Sequence, residues 1–241
     1  MQQNHYETLH RIEAGHWWYR TRRAIVHDII NANFEKPSNL QLADIGCGTG
    51  TLTKELEQYG TCLGIDTAQK AIDYCNTRGV VNLRLGSAEA TGCPTNSMDV
   101  VLCLDVLEHL DDDMLGIEEI KRILKPNGIG IIFVPAFMFL WGVTDELGQH
   151  RRRYRLPEIA DKFTDAQFTI QKKSYFNILL FPLIALVRVS VRLLRISIKS
   201  EAETGTGIVN ALLYRIFMFE RILLRHAQFP FGVSIMLVVK K

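Results

Sequence analysis

The sequence predicts an α/β domain built on a mostly parallel sheet covered by helices on both faces. Two observations carry this. Short β-branched or apolar runs alternate with helical patterns from Leu40 to Val134, and one of these runs ends in a turn with glycines at alternate positions, Gly46, Gly48 and Gly50. Regular strand and helix alternation implies right-handed crossovers between parallel strands. A third observation bounds the class: 241 residues with 47% hydrophobic and 22% charged side chains form an ordinary globular composition, sufficient for one α/β domain with insertions and unlike a disordered chain.

The elements follow in order. Residues 17–33 form an amphipathic helix that ends before Pro37, and a strand runs from Leu40 to Ile45. A helix to Tyr59 is closed by Gly60, a strand runs from Cys62 to Ile65, and a helix from Thr67 to Thr77 is closed by Gly79. Strands at Val80 to Leu85 and Asp99 to Leu104, a helix from Asp112 to Leu124, a Pro126-Asn127-Gly128 turn and a strand from Ile129 to Val134 complete the alternation. Beyond Val134 come a polar, aromatic segment (Phe137 to Arg155), a helix from Pro157 to Phe163 and a strand from Thr169 to Tyr175. A mostly helical block of about 55 residues and a last strand from Val233 to Lys240 end the chain. Ligands of such sheets sit at the carboxyl ends of the strands, where Asp44, Asp66, Ser87 and Asp105 all fall. The implied organisation is a helical cap (1–36), a core (37–175), a helical insertion (176–231) and the last core strand (232–241).

Alternate glycines let a backbone lie against a ligand, and the helix that opens near Thr51 turns its free amides toward the same spot. A dinucleotide site usually reads G-x-G-x-x-G at this turn. Here the glycines alternate as G-x-G-x-G, with Asp44 two residues before the first. Asp66, twenty-two residues after Asp44, closes the next strand in Leu63-Gly64-Ile65-Asp66, and a carboxylate there accepts bonds from ribose hydroxyls. With Gly86-Ser87-Ala88-Glu89, the Asp105 to Leu110 stretch DVLEHL and Leu124-Lys125-Pro126-Asn127-Gly128 in the same order, residues 40–135 resemble the class I methyltransferases that use S-adenosylmethionine.

The resemblance implies a Rossmann-like, seven-stranded, mostly parallel sheet with an antiparallel last strand and the helical block inserted before it. It implies S-adenosyl-L-methionine as cofactor, held by Asp44, Gly46, Cys47, Gly48, Gly50, Asp66, Thr67, Ser87, Ala88, Glu89, Leu104, Asp105 and Val106. Ser87 stands where the family often has an acidic residue for the adenine amino group, so Ser87, the Ala88 amide or Glu89 must substitute. Asp99 is structural by the same resemblance. The opening His16-Trp17-Trp18-Tyr19-Arg20 and the later His150-Arg151-Arg152-Arg153-Tyr154 resemble a microbial branch of the family.

Methyl transfer is an in-line displacement that needs alignment and exclusion of water, and a hydroxyl or carbon acceptor also wants a general base. His109, Asp105, Glu108, His150 and His16 are candidates, with His109 and His150 chosen as catalytic. His16, Trp17, Tyr19, Arg151, Arg152, Arg153 and Tyr154 are assigned to the acceptor, since arginines at that density suit a phosphate or carboxylate; a solvated basic turn is the alternative. No metal is invoked, because cysteines 47, 62, 75, 93 and 103 form no C-x-x-C pair and no carboxylate cluster is evident. The base-amino methyltransferase motif is missing and basic residues do not interleave with aromatics, so nucleic acid is not the expected substrate.

Residues 176–241 hold nine Lys/Arg against three Asp/Glu, a net of +6. Arg188, Arg192, Arg195 and Lys199 fall on one helical face beside Val189, Val191, Leu193, Leu194 and Ile196, a pattern of helices lying in a headgroup plane. The second helix, Ile208 to Arg225, is apolar nearly all round and wants burial on several sides. A peripheral membrane anchor, a homodimer interface and an internal cap over an apolar pocket all remain open. With a polar N-terminus and unpaired cysteines the expectation is a cytoplasmic protein, peripheral on the inner face of the membrane. The preferred acceptor is isoprenoid, quinone-like or lipid-linked; a soluble metabolite, a non-catalytic cofactor-binding protein and a Rossmann oxidoreductase are the other readings.

Overall fold

The computed structural model describes residues 3–194 and 207–241. Seven strands form one sheet in the order β3-β2-β1-β4-β5-β7-β6. They are β1 (Leu40–Ile45), β2 (Gly60–Asp66), β3 (Asn82–Leu85), β4 (Met98–Leu104), β5 (Leu124–Pro135), β6 (Thr169–Phe176) and β7 (Ser234–Lys240). β1 to β5 pair in parallel, while β7 runs antiparallel to both β5 and β6. β7 is reversed because the chain leaves β6, makes a helical excursion, and re-enters between β5 and β6 at the same end, so that Ser234 pairs with Phe176.

The helices are α1 (Gln3–Ile12), α2 (Trp17–Asn33), α3 (Thr51–Leu56), α4 (Gln69–Thr77), α5 (Asp113–Ile123), α6 (Val143–Gly148), α7 (Leu156–Asp165), α8 (Phe181–Leu193) and α9 (Gly207–Leu224). The sheet is buried on both faces, hence the near-continuous apolar strands such as Ile129 to Val134. One face packs Ile117, Ile120 and Ile123 of α5 and Ile159 and Phe163 of α7 onto Val101, Cys103, Ile132 and Leu237. The other packs Ile25, Val26, Ile29 and Ile30 of α2, with Phe217 and Leu224 of α9, onto Leu42, Val100, Leu102, Ile131 and Phe133.

Three elements lay below the resolution of the sequence pattern. α1 is polar and short, α6 is six residues in the segment after β5, and the first crossover helix stops at Leu56, its expected last turn being the 3₁₀ turn Glu57–Tyr59. Asp99 opens the fourth strand by accepting the Gln41 backbone N–H and the Lys125 ammonium, both at 2.8 Å.

The helical insertion departs most from expectation. α9 is not buried on several sides: only Phe217, Glu220 and Leu224 are buried, and Ile208, Val209, Leu212, Phe219 and Ile222 stand more than half exposed. It is fastened to α2 by polar contacts, Asn210 accepting the Trp17 N–H at 2.8 Å and Arg221 and Arg225 gripping Asp28 at 2.6 and 2.7 Å. The basic face also divides. Arg192 is exposed, but Arg188 turns inward and donates to the Leu140 carbonyl at 2.8 Å, so it is not part of an outward stripe. Arg195, Ile196 and Lys199 lie outside the described residues. The outward positions of α8 are instead Leu183, Leu186, Val187 and Leu193.

Candidate active site

A single cavity of about 900 Å³ lies across the carboxyl ends of β1, β2 and β4 and extends to the segments that follow β5. The sequence features converge there because every crossover deposits its strand end on the same edge.

At the donor end, Gly46 has φ +74° and a Cβ on it would lie 2.3 Å from Val106 Cγ2, so the backbone can pass the end of β4 only without a side chain. Gly48 donates its N–H to Asp66 Oδ2 at 3.0 Å, and Ala68 donates to Asp66 Oδ1 at 2.9 Å. Burial raises the Asp66 carboxyl above its ordinary pKa, and these two N–H bonds pull it back. Asp44 accepts Thr53 Oγ1 at 2.6 Å; burial, against that bond, pushes it up to about 7. Cys47, Thr67, Ser87, Ala88, Glu89, Leu104, Asp105 and Val106 line the same end. Gly50 does not. Its left-handed backbone (φ +82°) caps α3 and packs on Cys75, so its role is to turn the chain rather than to touch a ligand.

The N-terminal segment roofs this end. Tyr6 donates to Asp66 Oδ1 at 3.3 Å. Glu13 accepts the hydroxyls of Thr49 and Thr51, the latter at 2.8 Å. Arg22 pairs with Asp105, whose own backbone is left-handed (φ 55°). His16, Trp17 and Tyr19 all line the cavity; His16 also caps α2 by accepting the Trp18 N–H at 3.3 Å, and Trp17 packs edge-on against Phe217.

At the far end, His109 and His150 meet with ring centroids 4.6 Å apart. His150 Nδ1 bonds Asp145 Oδ1 at 2.8 Å, and Nε2 lies 4.0 Å from Glu108 Oε1. Nitrogen or oxygen atoms of Glu108, His109 and His150 all lie within 4.8 Å of one another, a set that offers proton acceptors and would also fit a divalent cation.

The arginine segment corrects the expectation of an anion-binding loop. Tyr154 is fully buried in the core, its hydroxyl donating to Asp113 at 2.9 Å. Arg152 donates to the Leu110 and Asp111 carbonyls at 3.0 and 2.8 Å. Neither lines the cavity. Arg151 and Arg153 do line it, but Arg151 is engaged with Asp111 and the His109 carbonyl and Arg153 with Asp145. A run of arginines beside a run of carboxylates, Asp111 to Asp113, satisfies itself before any ligand arrives.

Residues 43–132 match the family described as "Methyltransferase domain". A ubiquinone biosynthesis O-methyltransferase of Bartonella tribocorum is 31% identical over 139 residues, 52% of this chain and 56% of that protein. One from Parvibaculum lavamentivorans is 25% identical over 134 residues, covering 53% of each. The chain thus spans about half the length of the curated relatives it matches. Among solved structures, a SAM-dependent methyltransferase from Archaeoglobus fulgidus shares the fold at TM-score 0.56 and 16% identity, covering 91% of this chain and 94% of that one. The Haemonchus contortus phosphoethanolamine N-methyltransferase 2, in complex with S-adenosyl-L-methionine, does so at TM-score 0.59 and 15% identity, covering 89% of this chain and 51% of that one. Residues 43–132 thus carry a methyltransferase domain, within a fold shared with SAM-dependent methyltransferases.

The cofactor of that family is S-adenosyl-L-methionine, and the donor end fits it. The side-chain-free Gly46 and Gly48 backbone, a carboxylate at the end of β2 and the Ser87-Ala88-Glu89 edge surround this end of the cavity. Electrostatics divide the two ends. Burial, with His150 beside it, drops the His109 pKa to about 4, so this imidazole is neutral at physiological pH. Burial and the Asp105 charge raise Glu108 well above the carboxylate range. Burial also works against Asp145, but bonds from His150 and Arg153 outweigh it and hold that carboxyl at about 2. Tyr6, Glu13, Arg22, Asp145 and Arg188 are site residues that the sequence reading did not assign. Only Asp145 left a signal, as an acid five residues before His150.

Proposed function

We propose that this methyltransferase moves the methyl group of S-adenosylmethionine to an oxygen of a quinone-like, amphipathic acceptor at the cytoplasmic surface of a membrane. The observation that carries this reading is the continuity of one cavity from the Asp66 and glycine-loop end to His150. The names of the O-methyltransferase relatives supply the acceptor class. When bound, the cofactor supplies an electrophilic methyl on a sulfonium sulfur. Asp66 would take the ribose hydroxyls, and the Gly46 to Gly48 backbone would lie along the remainder. His150 Nε2 would take the proton of the acceptor O–H, leaving that oxygen pair free to bond the methyl carbon that the cofactor would supply, with S-adenosylhomocysteine as the leaving group. The roof of Trp17, Trp18 and Tyr19 keeps water from that oxygen.

The exposed apolar faces of α8 and α9 support the membrane part of the reading, because α8 also supplies Ile184 and Arg188 to the cavity wall and α9 packs Phe217 against the cavity-lining Trp17. No helix among the described residues is long and apolar enough to cross a membrane, so the contact is interfacial. The test pairs turnover with flotation. Purified protein, labelled S-adenosylmethionine and a polyprenylated catechol should give a methyl ether and S-adenosylhomocysteine, and the protein should float with anionic vesicles. Turnover of only short polar acceptors, with a dimer in solution and no vesicle binding, would replace this reading with a soluble metabolite and a dimer interface.

A further inference from the structure

The bonds behind His150 say more about this site than the presence of a base. We infer that Asp145 and Arg153 are positioning residues, which fix His150 with its proton on Nδ1 and its lone pair on Nε2, facing the acceptor. This rests on the reading of His150 as the base. The Asp145 carboxylate is wholly buried and accepts from four directions. His150 Nδ1 lies at 2.8 Å, the Gly142 N–H at 2.8 Å, and Arg153 Nε and Nη2 at 2.8 and 2.9 Å. Arg188 Nη1 stands 3.7 Å away. An ionised carboxylate only accepts, so the nitrogen bonded to it carries the hydrogen, and in the neutral ring the other carries the lone pair.

Arg153 fixes the carboxylate in turn. Its fork is bidentate on Asp145, and its Nη1 donates at 3.0 Å to the carbonyl of Ala136, the residue after β5. The end of the sheet thereby holds the guanidinium, the guanidinium holds Asp145, and Asp145 holds the ring. The charged or titratable groups around the ring are Glu108 and His109 from the turn after β4, Asp145 from α6, Arg188 from α8, and Arg151 and Arg153 from its own segment. Space at Nε2 is also built in. A Cβ on Gly148 would lie 2.9 Å from that nitrogen. The His-Arg-Arg-Arg-Tyr segment therefore clamps a base. Arg151 and Arg152 fasten it to the carbonyls of residues 109–111, Tyr154 pins it to Asp113, and Arg153 sets the tautomer.

The experiment is nitrogen-15 NMR of the full chain with labelled histidine, His150 being assigned from the signals lost in His150→Gln. In the wild type, Nε2 should resonate as the unprotonated ring nitrogen and Nδ1 as the protonated one, with no acceptor present. Asp145→Asn should mix the two forms and lower kcat roughly 10²- to 10⁴-fold, with KM for S-adenosylmethionine within threefold. Arg153→Lys, which keeps the charge and loses the fork, should give a smaller loss of kcat. Asp145→Glu should restore part of the nitrogen pattern. A wild-type His150 protonated on Nε2 would overturn the inference. So would a folded Asp145→Asn with wild-type nitrogen signals and kcat, or turnover lost on chelation and restored by a divalent cation, which would put the Nε2 lone pair on a metal. If no hydroxyl acceptor turns over, the nitrogen pattern still decides the positioning, and only the reading of His150 as base fails.

Discussion

Asp66→Ala isolates the group on which cofactor recognition turns. Each carboxylate oxygen has room for about two hydrogen bonds. Oδ2 is engaged by Gly48 N–H at 3.0 Å, while Oδ1 is engaged by Ala68 N–H at 2.9 Å and, more weakly, by Tyr6 at 3.3 Å. One site on Oδ2 and the site held by Tyr6 on Oδ1 are thus available to the two ribose hydroxyls. Hydrogen bonds to a charged group contribute about 1.5–3 kcal/mol each, so losing both removes about 3–6 kcal/mol of binding. That corresponds to roughly 10²- to 10⁴-fold weaker affinity. Calorimetric titration with S-adenosylhomocysteine measures it directly, and circular dichroism with chemical unfolding checks the fold. The backbone bonds lost with the carboxylate cost about 1–3 kcal/mol of stability, which leaves a domain of ordinary stability folded. A folded Asp66→Ala protein whose dissociation constant rises less than about fivefold would refute the assignment.

Four further outcomes are expected. Gly48→Arg, at a left-handed backbone (φ +55°) on the cavity wall, should abolish S-adenosylhomocysteine binding while far-ultraviolet circular dichroism stays near wild type. Tyr154→Phe leaves Asp113 with Lys162 at 2.8 Å but removes a buried bond, so denaturant titration should show a loss of about 1–2 kcal/mol and acceptor KM should not move; a large change in KM would return Tyr154 to the acceptor site. Gly148→Ala places a methyl 2.9 Å from His150 Nε2, and should lower kcat at unchanged cofactor affinity measured by calorimetry. Glu119 is held at about 2 by Arg122, with Thr91 adding. Because its folded pKa is depressed, the stability it contributes is present above its ordinary value of about 4.5 and is lost as pH falls toward 2. The difference in unfolding free energy between wild type and Glu119→Gln should shrink over that range.

The donor end was legible because its signals are local. A strand, a glycine turn and a helix occupy one stretch of chain, and Asp66 follows after the length that one crossover needs. The same logic located β3 to β5 within two residues, except that β5 begins at Leu124 instead of Ile129. The turn at Asn127 (φ 69°) is absorbed into the strand as a register shift against β4. The acceptor end was legible only as a residue list. The pattern singles out His150 but suggests its arginine neighbours as ligand donors, because a one-dimensional pattern gives charge without partners. Arg151 and Arg152 find theirs about forty residues back, at Leu110 and Asp111. Periodicity puts Arg188 in a basic stripe and the structure turns it inward to the Leu140 carbonyl, since periodicity fixes which residues share a face but not which way that face turns.

The sequence alone therefore determined the fold class, the parallel order of crossovers, and most of the residues that line the donor end of the cavity. Each of these follows from short-range pattern: apolar runs, glycine spacing and crossover length. The tertiary structure decided which helix face of the insertion is exposed, that α1 and Glu13 close over the glycine loop, and that Asp145 and Arg153 stand behind His150. Those outcomes depend on contacts between segments far apart in the chain, where burial and charge pairing select one arrangement among several that the sequence pattern allows equally.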